Sequence, residues 1–119
     1  MSFTLEAANA LLETIRPLLE ELRDAQAVME RTHDAVMDAV PGNGGGDAGN
    51  AFIEATEQAT RAANTVTELG VVLRDPTTGL IDFPSERNGE EIFLCWRLGE
   101  DEIAWWHSTT SGFADRQAL

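Results

Sequence analysis

Lysine and tyrosine are absent from this sequence of 119 residues, and cysteine occurs once, at Cys95. All eight cationic side chains are therefore arginine, set against 21 acidic ones for a formal net charge of -13. A single cysteine excludes an internal disulfide and fits a reducing cytosol. So sparse a set of cations disfavours a nucleic-acid binder that works through phosphate contacts, which needs a basic footprint. No apolar run approaches the ~20 residues of a spanning helix, and no basic-then-apolar leader opens the chain. The expectation is a cytoplasmic protein with no membrane and no nucleic-acid partner. The length leaves no room for two independent domains, so residues 1–119 read as one. Hydrophobic content of 43% is enough for one real core.

Periodicity divides the chain. From Thr4 to Val40, Leu5, Ala8, Leu12, Ile15, Leu19 and Leu22 step by three and four, and the register continues through Gln26, Met29, His33, Val36 and Val40. This heptad-like stripe predicts a helix (4–40) packed along another, in the manner of a coiled coil. Thr4 is placed to cap it. Pro17 removes a donor and predicts a kink. Residues 41–50, PGNGGGDAGN, read as a Gly-rich linker. A second helix over 51–69 follows the stripe Phe52, Ala55, Ala59, Ala62, Val66, Leu69. The two form an antiparallel hairpin, with His33 near Ala55 and Gln26 near Ala62 in its seam. The shorter second helix leaves the first half of helix one, Leu5 to Ile15, in need of another partner.

After residue 70 the period changes to two. Val71–Leu73, Leu80–Phe83, Glu91–Arg97 and Glu102–His107 read as four strands of an antiparallel meander, completing an α+β fold (71–119). Asp75-Pro76 opens one turn, and Asn88-Gly89 makes another. Gly99-Glu100 reads as a two-residue hairpin loop, which would set Cys95 opposite Ala104 and Phe93 opposite Trp106. That register puts Ile92, Leu94, Trp96, Ile103, Trp105 and His107 on the face toward helix one. Phe93, Cys95, Arg97, Glu102, Ala104 and Trp106 fall on the other face.

The C-terminal run resembles the signature of domain-of-unknown-function family 2203, a group of small, mostly bacterial proteins. The matching residues are Asp82-Phe83-Pro84, Gly89, Leu94-Cys95-Trp96, Gly99-Glu100, Ile103, Trp106-His107, Gly112-Phe113 and Arg116. Phe3 to Leu12 resembles the start of that family's first helix. The resemblance implies an intracellular α+β protein and carries no established activity.

Chemical candidates are few. His107 could be a base, a ligand or an anion contact, or a structural histidine bonded to backbone or to Asp82. The derived register separates Cys95 from His107, which argues for an inert buried thiol rather than a nucleophilic pair. Arg97, His107 and Arg116 could converge on an anion, although ion pairs such as Arg97 with Glu102 account for them as well. Glu30 and His33 form a Glu-x-x-His that could imitate a bundle metal site with Glu54 or Glu57, but Glu30 lies off the seam. The glycines at 42–46 are followed by no phosphate-loop lysine. No catalytic residue, cofactor or metal site is read from this inventory.

The reading that follows is a non-enzymatic interaction or assembly module, with a protein partner or a second copy of the chain (a homodimer). The binding residues would be Asp82, Phe93, Arg97, Trp106, His107 and Arg116, with Trp106 on an apolar strip. The alternative is a small-molecule or metal-dependent activity at the sheet edge through Asp82, His107 and Arg116. The acidic excess also fits a protein adapted to concentrated salt, because unbalanced carboxylates repel until counterions screen them. The melting temperature should then rise from dilute buffer to molar salt; a flat response would remove the salt-adapted reading.

Overall fold

A computed structural model describes residues 2–37 and 46–119. Two helices, α1 (Leu5–Met37) and α2 (Gly46–Glu68), precede a five-stranded antiparallel sheet. Its strands are β1 (Val72–Asp75), β2 (Leu80–Arg87), β3 (Glu90–Arg97), β4 (Trp105–Ser108) and β5 (Gln117–Ala118), paired in chain order. The fifth strand, which the sequence reading left in the tail, pairs with β4. The expected helix end at Val40 to Gly42 and the linker over 41–45 lie outside the described residues. Residues 46–50 are helical rather than linker. Asp47 sits in the first turn of α2, where its charge meets the positive end of the helix dipole.

The Thr4 hydroxyl caps α1 by accepting the Ala7 N–H at 3.1 Å. The helix runs through Pro17 for 33 residues, about 50 Å at 1.5 Å per residue, in a molecule 60 × 25 × 23 Å across. Ala8, Leu12, Ile15, Leu19, Leu22 and Ala25 are its buried row. The first four share one core with Val66 of α2 and with Ile81, Phe83, Ile92, Leu94, Trp96 and Ile103 from the sheet side. The sheet thus covers the half of α1 that α2 cannot.

Farther along, the seam departs from the heptad expectation. Ala25 is buried in place of Gln26, whose Oε1 instead accepts the Thr77 hydroxyl from the β1–β2 turn at 3.1 Å. The His33 side chain is 55% exposed rather than in the seam and lies beside Phe52, with ring centroids 6.5 Å apart. An α-helix drifts by about 20° per heptad against a strict 3.5-residue repeat, so a stripe extrapolated in heptads leaves the true buried face.

Local chemistry fixes most of the sheet. Asn88 (φ 54°) and Gly89 (φ 82°) form a tight two-residue turn between Arg87 and Glu90. The Asp75 carboxylate accepts the Thr77 N–H at 3.0 Å, closing an Asx turn. Pro84 is tolerated because its missing N–H faces the edge beyond β1; there its carbonyl accepts the Phe3 N–H at 2.7 Å.

The β3–β4 connection overturns the expected register. Gly99, at φ 102°, is the third residue of a turn closed by the Glu100 N–H to the Arg97 carbonyl at 3.1 Å. This is the position where a type II turn needs positive φ, so glycine is not the first residue of a two-residue loop. The chain continues to Trp105 before pairing resumes, with Cys95 opposite Trp105, Leu94 opposite Trp106 and Phe93 opposite His107. The register has moved by one residue. A one-residue slip exchanges faces, so Trp106 points toward the core and Trp105 and His107 point away. The cause lies on α1: Asn9 Oδ1 accepts the Ile103 N–H at 2.8 Å, and Ile103 is buried in the core. The Asp101 carbonyl accepts both Trp96 Nε1–H at 3.3 Å and Arg16 Nη2–H at 3.4 Å.

Removing the Asn9 acceptor by Asn9→Ala should leave the Ile103 N–H unpaired. The expected cost is about 1–3 kcal/mol, read as a lower urea midpoint with an unchanged slope.

Candidate functional site

The strand register gathers one residue from each of three neighbouring strands onto the face away from the helices: Asp82 of β2, Cys95 of β3 and His107 of β4. Their relative exposures are 2%, 1% and 2%. One donor atom from each lies within 4.8 Å of the other two. The Cys95 and His107 that the expected register separated therefore share a face.

Each polar atom in the cluster has a definable role. His107 Nδ1 lies 2.7 Å from the Ser108 carbonyl oxygen, and Nε2 lies 3.0 Å from Asp82 Oδ2. A carbonyl oxygen only accepts, so Nδ1 carries a proton. The Arg74 Nε–H also donates to Asp82 Oδ2, at 2.8 Å. Asp82 Oδ1 is buried without a hydrogen-bond partner.

Arg74 was missed by the sequence reading. It sits at a break in the β1–β2 register between Leu73 and Asp75, with its guanidinium over the Phe93 ring at 4.9 Å and its Nε–H given to Asp82. The available signal was its period-two partnership with Val72. Phe93 in turn packs on the His107 ring at 5.5 Å. A cavity of about 290 Å³ opens beside the cluster, lined by Arg74, Asp82, His107 and the loop from Thr109 to Phe113.

The remaining candidates lie around this centre. Arg116 makes a two-pronged ion pair with Glu100, at 3.1 and 2.7 Å, and stacks on Trp105 at 4.8 Å and Phe113 at 4.2 Å. Burial works against the Arg116 charge, but the Glu100 carboxylate outweighs it and raises the guanidinium pKa above its ordinary value. The Arg97 guanidinium also lies over the Phe113 ring, at 4.9 Å, and the Arg97 backbone N–H donates to Glu100 Oε1 at 2.8 Å. The tail thus folds over this end of the outer face. Trp106 is half-buried on the inner face beneath Arg87, at 4.9 Å. Far from the sheet, Glu30, His33, Glu54 and Glu57 are all exposed.

Geometry argues against side-chain nucleophilic chemistry. Both His107 nitrogens are engaged, neither with Cys95. Burial, and then the Asp82 charge, push the Cys95 thiol up to about 11, with Arg116 offsetting only part of the rise. A thiol so held is protonated at neutral pH and is a poor nucleophile.

Two helices on an antiparallel sheet, with a buried Asp–Cys–His cluster on the far face, define a small α+β protein whose polar centre is separate from its core. The chain belongs to the family described as uncharacterized conserved protein (DUF2203), which matches residues 1–119. No curated protein and no solved structure matches the chain. Among the described residues no helix is long and apolar enough to cross a membrane.

With no lysine and no tyrosine, Cys95 is the only side chain that titrates in the alkaline range below arginine. The folded state holds its proton to about pH 11, whereas an unperturbed thiol releases it near 9.0. Its contribution to stability is therefore whole below pH 9 and is lost as pH rises toward 11. With nothing bound at the cluster, stability should fall by about 2–3 kcal/mol across that window. Cys95→Ser should remove this loss in urea melts run at successive pH values.

Proposed function

We propose that this chain is a binding protein whose centre is the outer-face cluster of Asp82, Cys95 and His107, with a small polar ligand or ion received in the adjoining cavity. The observation that carries the reading is Asp82 Oδ1, a carboxylate oxygen buried without a partner at the cluster. Buried polar atoms are nearly always paired, and an orphan costs about 1–3 kcal/mol or more when charged. A buried acceptor without a partner, beside His107 and Cys95, suits a hydrogen-bond donor or a cation. The engaged histidine and the protonated thiol favour binding over nucleophilic or acid–base turnover. This proposal keeps Asp82 and His107 from the sheet-edge activity that the sequence reading held as its alternative, but reads them as binding rather than activity, at the centre of the outer face and with Arg74 in place of Arg116.

A second reading, assembly with another copy of the chain, has its own support. The helical hairpin extends past the sheet, and near its far end Met37 and Ile53 are 69% and 56% exposed. Two such arms packed together would make a four-helix bundle.

Native mass spectrometry of the purified full chain separates the two. The binding reading expects a retained mass that disappears when Thr110→Trp fills the cavity without touching the cluster. The assembly reading expects a dimer indifferent to Thr110→Trp and weakened by Ile53→Asp. A monomer with no retained mass, and none acquired on adding metal salts, would overturn both.

A further inference from the structure

We infer that Asp82, Cys95 and His107 together bind one divalent transition-metal ion of the zinc class, an assignment that rests on the outer-face reading above and names its ligand.

The first argument is the hydrogen-bond pattern. Because His107 Nδ1–H is given to the Ser108 carbonyl at 2.7 Å, the free lone pair of the neutral ring is on Nε2. That lone pair faces Asp82 Oδ2 at 3.0 Å. Two acceptors facing each other need a positive centre between them, either a proton or a metal ion. Donation of the other ring N–H to a backbone carbonyl is also how metal-bound histidines are usually held.

The second argument is the orphan. Asp82 Oδ1 is buried with no partner, although Oδ2 accepts the Arg74 Nε–H. That hydrogen bond to one oxygen orients the carboxylate and leaves the other to accept a cation, the outer-shell pattern of carboxylate ligands.

The third is the donor set. One sulfur, one imidazole nitrogen and one carboxylate oxygen lie within 4.8 Å of one another on three paired strands. Bonds of about 2.0–2.3 Å to a tetrahedral ion would draw them together by roughly an ångström, within the reach of side-chain rotation. Thiolate and imidazole select zinc-like ions and disfavour magnesium and calcium, which take oxygen ligands. Binding displaces the Cys95 thiol proton and any proton between Nε2 and Oδ2 to solvent. Three protein ligands leave a fourth position, and the cavity of about 290 Å³ gives water or an exogenous ligand access to it. Arg74, on Oδ2, is a positioning residue.

The test uses the full chain, stripped with a chelator and titrated with Co²⁺ as a spectroscopic stand-in for zinc. The inference expects one Co²⁺ per chain, a thiolate-to-cobalt charge-transfer band, and displacement of that band by Zn²⁺. Cys95→Ser, close to isosteric and checked for folding by circular dichroism, should abolish the band. His107→Gln should weaken Zn²⁺ binding by more than the 10–100-fold typical of outer-shell changes. X-ray absorption of the Zn²⁺-loaded unmutated chain should show one sulfur among nitrogen and oxygen donors, a readout independent of any variant. Absence of stoichiometric metal, or metal bound without sulfur, overturns the inference. If an organic molecule is retained and then lost on Thr110→Trp while no metal binds, the metal assignment falls and the outer-face binding reading stands.

Discussion

The segment from Leu98 to Ala104 decides what each face of the sheet contains. It is held down at Ile103, whose side chain enters the core and whose N–H is taken by Asn9 of α1. Because side chains alternate, where this segment releases the chain into β4 determines whether His107 faces the helices or the solvent side. Docking on α1 selects the second. Trp106 then joins the inner layer, and Trp105 and His107 join Asp82 and Cys95. A contact that serves stability thereby assembles the polar cluster on the opposite surface.

That cluster places a carboxylate in a nearly closed environment, which requires compensating positive charge. Arg74 supplies it from β1. The arginines of this chain serve the aromatic rings: five of the eight, Arg16, Arg74, Arg87, Arg97 and Arg116, place their guanidinium carbons over aromatic rings at 4.2–5.4 Å. A guanidinium stacks and donates in its plane at once, as Arg74 does on Phe93 and Asp82 and Arg116 on Trp105 and Glu100. All three tryptophans carry such an arginine. The absence of lysine is thus matched by a structural use of arginine that a point charge on a flexible stem would not reproduce.

The α+β architecture was legible because its signals are local. Thr4 caps, Asn88-Gly89 turns, and the apolar steps from Ala8 to Leu22 mark a face that stays in phase over its first turns. What failed depended on tertiary contacts or accumulated drift. Gly99-Glu100 is compatible with a two-residue loop, and contacts to α1 distant in sequence, Asn9 with Ile103 and Arg16 with Asp101, accompany the longer connection. The seam positions of Gln26 and His33 were extrapolated beyond the range in which a heptad and a true helix coincide. The site suffered from the first error: Asp82 and His107 were both singled out, but Cys95 was assigned to the face opposite His107, and Arg74, two residues from Val72 and so on its face, was passed over.

Charge distinguishes between occupants of the outer face. Within the cluster, Arg74 would attract an anion, but its Nε–H is given to Asp82, so an anion would have to approach a carboxylate. Its unpartnered oxygen offers an anion no hydrogen to share. The field of the whole chain, with a formal charge of -13, raises the local concentration of cations and opposes anions. Cys95 adds a donor that is neutral while protonated and becomes an anion only when a metal takes the place of its proton. A divalent ion that displaced both the thiol proton and a proton shared between His107 Nε2 and Asp82 Oδ2 would leave the net charge of the cluster unchanged.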